Sequence, residues 1–216
     1  MKEYAAYLFD ADGTLIDSRE LIYQSFLHLN RSLGLPLPEQ EVVYAMIGLP
    51  MRPQLERHMG GGLGDAEYAR GFDIYNRFHM AEAARYLKVF PGVKAGLETL
   101  KSLNKRMAVV SSRSGDSLVA FMQDLGLSGY FSALISADDT LRHKPDPEPA
   151  LLGLRLLSAT PEETVFIGDA TFDMSCGKGA GLDVAYVSWG GMDCEGWPVQ
   201  PDFTAHLFQD LLPERD

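Results

Sequence analysis

Asp10 and Asp12 are separated only by Ala11, and they follow directly on the apolar run Tyr7-Leu8-Phe9. Two carboxylates that close repel, and desolvating either one is costly without a partner. The crowding is tolerable where a divalent cation sits among the charges. Hard oxygen donors suit magnesium, which keeps several waters and takes a few carboxylates plus phosphate oxygens. Asp169, after the run at 164–168, and Asp173, one helical turn later, are further acids of this kind. Ser111 and Ser112 follow the run at 106–110, and Lys144 lies in the segment after 132–136. Carboxylates, a hydroxyl and an ammonium together are the equipment of phosphoryl transfer, where positioning and electrostatics supply most of the catalysis.

Within that chemistry the roles divide by position. Asp10, the first acid after the apolar run, is the candidate nucleophile, able to attack phosphorus and form an aspartyl-phosphate. Asp12 is the candidate acid/base, protonating the leaving oxygen and then deprotonating the hydrolytic water, provided its surroundings raise its pKa. Ser111 and backbone N–H groups are expected to hold the phosphoryl oxygens, and Lys144 to neutralise charge on Asp10 and the phosphoryl group. The metal set is Asp10, Asp12, Asp169 and Asp173. Asp10 and Asp169 bind directly, Asp12 through its backbone carbonyl, and Asp173 orients a metal-bound water or Lys144. Thr14, Ser112 and Arg113 are candidate substrate-binding residues, Arg113 by meeting a second anionic group. A single Asp after a strand is more often a helix N-cap; only the coincidence of all these groups argues for a site.

The elements that must position them are legible from periodicity. Residues 5–9 read as a short buried strand. From Ser18 to about Tyr86 the pattern is helical, with helices expected at 18–33, 38–47, 52–59 and 65–86 and no buried strand run. Ser18 and Asp65 are expected N-caps and Gly34 a stop. The stretch GGGLGD at 60–65 reads as a loop between helices, because no strand precedes it and no GK[ST] follows. After VFPGV at 89–93, strands are expected at 106–112, 132–136, 164–168 and 184–188, with a weaker one near 202–205. Helices are expected between them at 92–104, 115–126, 147–158 and 172–180. Such alternation implies βαβ units and a parallel sheet. Residues 1–15 and 89–216 are thus expected to form one α/β domain, and 16–88 a helical insertion after its first strand. In such a sheet ligands bind beyond the carboxyl ends of the strands, where all the candidate residues fall.

Composition bounds the alternatives. The chain has 216 residues, 46% hydrophobic and 23% charged, with no apolar stretch near the ~20 residues of a membrane span. The N-terminus has too short an apolar run for a signal peptide, so a cytoplasmic location is expected. Cys176 and Cys194 read as free thiols. A net charge of -11 argues against nucleic acid or anionic membrane as a partner.

The segments DADGT at 10–14, Ser111, Lys144 in HKPDPEP, and IGDATFDM at 167–174 resemble the four motifs of the haloacid dehalogenase-like hydrolase superfamily, in the family's order. The resemblance implies a Rossmann-like, doubly wound parallel sheet core, a magnesium cofactor, Asp10 as nucleophile and Asp12 as acid/base. It also implies that the helical insertion is a cap closing over the site, with hinges near Ile16-Asp17-Ser18 and 88–92. Asp12 argues against dehalogenation, which protonates no leaving oxygen. The lack of any lysine between Lys2 and Lys88 excludes a cap Schiff base. MIGLPMRPQLE at 46–56 looks like the Gly-Leu-Pro loop of phosphoglycolate phosphatase-like members, with Gly48 and Arg52 as the candidate substrate contacts. VAYVSWGG resembles the same group. Ala11 and SSRS at 111–114 depart from the common pattern, which has a bulkier aliphatic and Thr-Asn-Lys there.

The expected function is therefore hydrolysis of a small phosphorylated metabolite, phosphoglycolate-like, by a monomer or homodimer. The alternatives are a β-phosphoglucomutase-like sugar phosphomutase, an inorganic pyrophosphatase, and a non-catalytic phosphate-binding protein.

Overall fold

The structure, a computed structural model, describes residues 2–213. It divides into two compact units, Met1–Asp17 with Val89–Asp216, and Ser18–Lys88. In chain order, β1 (Ala6–Phe9) is followed by the two-residue β2 (Ile16–Asp17) and then by four helices. These are α1 (Arg19–Leu33), α2 (Gln40–Tyr44), α3 (Met51–Met59) and α4 (Asp65–Tyr86). The chain continues through β3 (Lys88–Val89), α5 (Val93–Ser102), β4 (Arg106–Val110), α6 (Gly115–Asp124) and β5 (Ala133–Ile135). It ends with α7 (Glu148–Leu157), β6 (Thr164–Gly168), α8 (Thr171–Gly179), β7 (Asp183–Val187) and β8 (Phe203–Ala205).

Six strands form one sheet in the order β5-β4-β1-β6-β7-β8, with β1 parallel to both neighbours. All four residues of β1 are buried, because a central parallel strand is covered on both faces. Side chains alternate between those faces. Ala6, Leu8, Ala108, Val110, Phe166 and Val184 pack with Ala150 and Leu154 of α7 and Met174 and Cys176 of α8. On the other face Phe9 stacks on Phe208 and meets Phe131 edge-on. Burying such a side chain stabilises the fold by roughly 1.5–3 kcal/mol. This is the parallel α/β sheet expected from the alternating pattern, with the Rossmann-like architecture that the resemblance implies. The chain builds β4 and β5 on one side of β1 and then crosses to β6 on the other. The carboxyl end of β1 is therefore a topological switch point, where open parallel sheets leave a crevice.

In the helical unit Ile22, Phe26, Leu29, Val43, Ile47, Leu55 and Tyr75 form a separate core. Gly34 ends α1 in the left-handed region at φ 67°, as a stop signal should. α2 is shorter than expected, ending at Tyr44, and Gly48 at φ 93° and Pro50 lie in the turn that follows it. The N-cap of α4 is Gly64, not Asp65; its N–H donates to Glu67 at 3.1 Å, so Glu67 supplies the cap and Asp65 is the first helical residue. Short strands β2 and β3, which form their own two-stranded sheet, were not foreseen in the sequence because two residues carry no periodic signal. Among the described residues no helix is long and apolar enough to cross a membrane. Cys176 and Cys194 are free thiols, and burial pushes Cys176 up to about 12.

Candidate active site

Asp10 is the first residue beyond β1, and its N–H donates to the Ile167 carbonyl at 2.8 Å, extending the ladder by one bond. Its carboxylate is thereby delivered to the switch point, 5% exposed. Asp169 follows β6 in the same way, and Asp173 sits in the first turn of α8 with Oδ2 accepting the Ala170 N–H at 3.0 Å. Oxygens of Asp10, Asp169 and Asp173 lie within 4.8 Å of one another, and all three residues are buried. Lys144 enters from the segment after β5. Its ammonium donates to Asp10 Oδ1 at 2.5 Å, to Asp173 Oδ1 at 2.7 Å and to the Val110 carbonyl at 3.2 Å, which uses all three of its donors.

The electrostatics of the cluster are those of charge confined away from water. Burial raises Asp10 to about 7; Lys144 pulls the other way, and Asp173 and Asp12 add repulsion. Burial, then Asp10 and Asp173, hold Asp169 well above the usual carboxylate range. For Lys144 burial alone would lower the pKa, but Asp10 and Asp173 hold it above its ordinary value. Three carboxylates thus share one ammonium.

Two glycines leave room for the Asp169 carboxylate. Gly13 has φ +82°, and a Cβ there would lie 2.0 Å from Asp169 Oδ2. A Cβ on Gly190 would lie 2.3 Å from the same oxygen. The backbone of the loop after β1 and that of the turn after β7 therefore approach this carboxylate more closely than any side chain allows.

Asp12 is oriented differently. Arg113, three residues beyond β4, donates from Nε to Asp12 Oδ2 and from Nη2 to Asp12 Oδ1, each at 2.6 Å. The Arg113 guanidinium lies over the Phe121 ring at 4.6 Å. Ser111 is buried, anchored by its N–H to the Ile135 carbonyl at 2.8 Å, and its Oγ accepts the Arg113 N–H at 3.2 Å. Ser112 is half-buried beside it. Thr14 is fully buried, and its carbonyl accepts the Trp189 indole N–H at 2.9 Å.

The structure brings Asp10, Asp169, Asp173 and Lys144 into one cluster, with Asp173 holding Lys144. Three other candidates have partners of their own. The Asp12 side chain, whose expected metal contact is through the backbone carbonyl, is turned into the Arg113 fork and is not among the clustered oxygens. Arg113, expected to meet a second anion, is committed to Asp12. Arg52 is committed within its own unit, to Asp65 at 3.0 Å, the Leu63 carbonyl at 3.1 Å and the Tyr68 ring at 4.2 Å. Gly48 lies in the same unit, at the turn before α3. Sequence reasoning missed Trp189, Gly190 and Phe121 as parts of the site. Nothing in their spacing marks them, although the Trp-Gly-Gly string after β7 was a usable signal.

Residues 7–187 match the haloacid dehalogenase-like hydrolase family. A phosphoglycolate phosphatase of Aquifex aeolicus is 32% identical over 209 residues, covering 97% of this chain and 95% of its own. Pyrophosphatase PpaX of Bacillus velezensis is 29% identical, covering 98% and 96%. Among solved structures, a haloacid dehalogenase-like hydrolase from Streptococcus pneumoniae superposes with a TM-score of 0.83 at 24% identity, covering 98% of each chain. CbbY from Rhodobacter sphaeroides, in complex with phosphate, superposes at 0.82 and 24%, covering 96% of each. These two structural likenesses concern the fold alone. With a match spanning β1 to β7, and Asp10, Lys144, Asp169 and Asp173 gathered at the switch point, the chain belongs to the haloacid dehalogenase-like hydrolase family.

Proposed function

We propose that this protein is a magnesium-dependent phosphatase that hydrolyses a small phosphorylated metabolite through an aspartyl-phosphate on Asp10. The observation that carries the reading is the buried cluster of Asp10, Asp169 and Asp173 around the single ammonium of Lys144. Burial and mutual repulsion oppose ionising all three carboxylates beside one ammonium, and a divalent cation would supply the charge that lets them ionise together. An all-oxygen donor set fits magnesium better than a softer metal. Asp10 and Asp169 would hold the ion, with Asp173 close by and the Asp12 carbonyl as a further donor. When bound, the ion supplies charge neutralisation for the nucleophile and the phosphoryl oxygens.

The rest falls to the chain. Asp10 attacks phosphorus while the bond to the leaving oxygen breaks, and Asp12 gives that oxygen its proton. In the second half Asp12 takes a proton from water, the hydroxyl attacks phosphorus, and the Asp10 carboxylate is released. The Ser111 hydroxyl and the backbone N–H groups after β1 and β4 bind phosphoryl oxygens. Lys144, fixed by Asp173, steadies the charge on Asp10 throughout. We also assign the helical unit the role of a cap that selects the substrate.

The named relatives support two substrate classes, phosphoglycolate-like monoesters and inorganic pyrophosphate. Both are small and carry a second anionic group. The test is phosphate release from phosphoglycolate, pyrophosphate, β-glucose 1-phosphate and an aryl phosphate, with magnesium and with excess chelator, beside Asp10→Asn. Magnesium-dependent release that vanishes in Asp10→Asn supports the reading. Release unaffected by chelator or by Asp10→Asn refutes it.

A further inference from the structure

We propose that Arg113 is a positioning residue for the acid/base Asp12, holding its carboxylate plane so that it meets the leaving oxygen and the hydrolytic water in turn. The inference rests on the phosphatase reading, because it assigns Arg113 a part in that reaction. The pairing is built. Both carboxylate oxygens of Asp12 accept from one guanidinium at 2.6 Å, in the fork geometry that fixes a carboxylate's plane as well as its place. The two side chains are only 9% and 12% exposed. Arg113 is itself immobilised, its guanidinium over the Phe121 ring and its N–H on Ser111 Oγ. Phe121 is fully buried in α6 and Ser111 is anchored on β5, so the chain of contacts runs from packed elements of the α/β unit to Asp12. Asp12 itself stands in the loop just after β1, where Gly13 follows at φ +82°.

A guanidinium fork engages both oxygens of a carboxylate and sets the plane in which it meets other groups. Lysine could supply the charge at this position but not the plane, because an ammonium is a point charge. The departure of SSRS from the common Thr-Asn-Lys pattern thus acquires a reason within this chain.

Leaving-group dependence separates positioning from mere structure. General acid catalysis matters for an alkyl phosphate, whose alkoxide leaves poorly, and little for an aryl phosphate, whose phenolate leaves unaided. The experiment compares kcat/KM for ethylene glycol monophosphate and p-nitrophenyl phosphate in the native enzyme, Arg113→Met, Arg113→Lys, Asp12→Asn and the double variant Asp12→Asn/Arg113→Met. General acids contribute about 10²–10⁴-fold. Arg113→Met is expected to lose at least about tenfold on the alkyl ester and no more than a fewfold on the aryl ester, with Arg113→Lys in between. The double variant should be no slower on the alkyl ester than Asp12→Asn, since a group that acts only through Asp12 has nothing left to position. Equal losses on both esters in Arg113→Met and Arg113→Lys would overturn the assignment, as would a double variant slower than Asp12→Asn by the full Arg113→Met factor. A native protein that releases phosphate from neither ester, nor from phosphoglycolate or pyrophosphate, takes down the phosphatase reading and the positioning role together. Should Arg113→Met fail to fold, Arg113→Lys, which keeps the charge, carries the comparison alone.

Discussion

The switch point of the α/β unit and the core of the helical unit both bury polar side chains, and they do it in opposite ways. At the switch point the buried groups are charged: Asp10, Asp169 and Asp173 around Lys144, each 5% exposed or less. In the helical unit the buried polar groups are neutral: Ser18, Ser25, Asn30, Gln54 and His79, with His58 half-buried beside them. Ser25 Oγ meets His79 Nδ1 at 2.9 Å and donates to the Leu21 carbonyl at 2.7 Å, and Gln54 donates to the Leu49 carbonyl at 2.8 Å. His58 stacks on Phe26 at 4.1 Å, and burial, helped by Arg57, lowers it to about 4, so the ring is neutral near pH 7. A neutral polar group costs far less to bury than a charge, even where one atom has no hydrogen bond, as His58 Nε2 has none. Confined like charges also repel, and a fold keeps them only where the repulsion is put to use.

The sharpest way to break this contrast is at the charged cluster. Asp10→Asn should cut phosphate release by at least about 10³-fold while the protein stays folded by circular dichroism, because it removes the proposed nucleophile and little else. Residual turnover within tenfold of native would place the chemistry elsewhere. Next in size is Lys144→Met, which leaves buried carboxylates facing one another. Breaking a buried pair from one side costs about 3–5 kcal/mol, read as a lowered urea midpoint. Lys144→Met/Asp10→Asn should recover part of the loss, whereas additive losses would mean that Lys144 stabilises through something other than Asp10.

Gly13→Ala tests the room left for Asp169. Both the positive φ and the 2.0 Å approach oppose a methyl group. A cost of about 1–3 kcal/mol is expected in thermal unfolding, together with weaker magnesium binding by titration calorimetry. Unchanged affinity would separate this glycine from the carboxylate.

The smallest effect belongs to the helical unit. The folded His58 titrates near 4 and the unfolded ring near its ordinary 6.5, so the unfolded chain takes up the proton first as pH falls. The stabilising contribution is complete above about pH 6.5 and is lost as pH falls toward 4. His58→Phe should therefore flatten the fall in melting temperature over that window by a few degrees. Parallel curves for native and variant would show that the ring is not desolvated in solution.

Much of the α/β unit was legible because its strands are short apolar runs ending abruptly in Asp10, Ser111 and Asp169. Period, length and turn residues place such runs to within a residue or two. Asp173 and Lys144 were readable as members of the same edge, since strand-end chemistry and helix spacing are local. The partner of Asp12 was not. Arg113 stands 101 positions away in sequence, and one arginine among several solvated ones carries no local mark of its destination. The cap of α4 was misread for a similar reason: Asp65 looks like an N-cap, but Glu67 reaching back to the Gly64 N–H cannot be seen in propensity.

The sequence by itself determined the α/β class and named Asp10, Asp12, Arg113, Lys144, Asp169 and Asp173 as candidate charged groups. These follow from periodicity and residue chemistry, which act over a few residues. Only the tertiary structure decided which charges meet. It put Lys144 between Asp10 and Asp173, closed Gly13 and Gly190 around Asp169, and gave Arg113 to Asp12 instead of to solvent. Those pairings depend on strand order and on the depth at which each carboxylate is buried. Both are properties of the assembled sheet, where desolvation makes the energy of a charge depend on its neighbours across the fold.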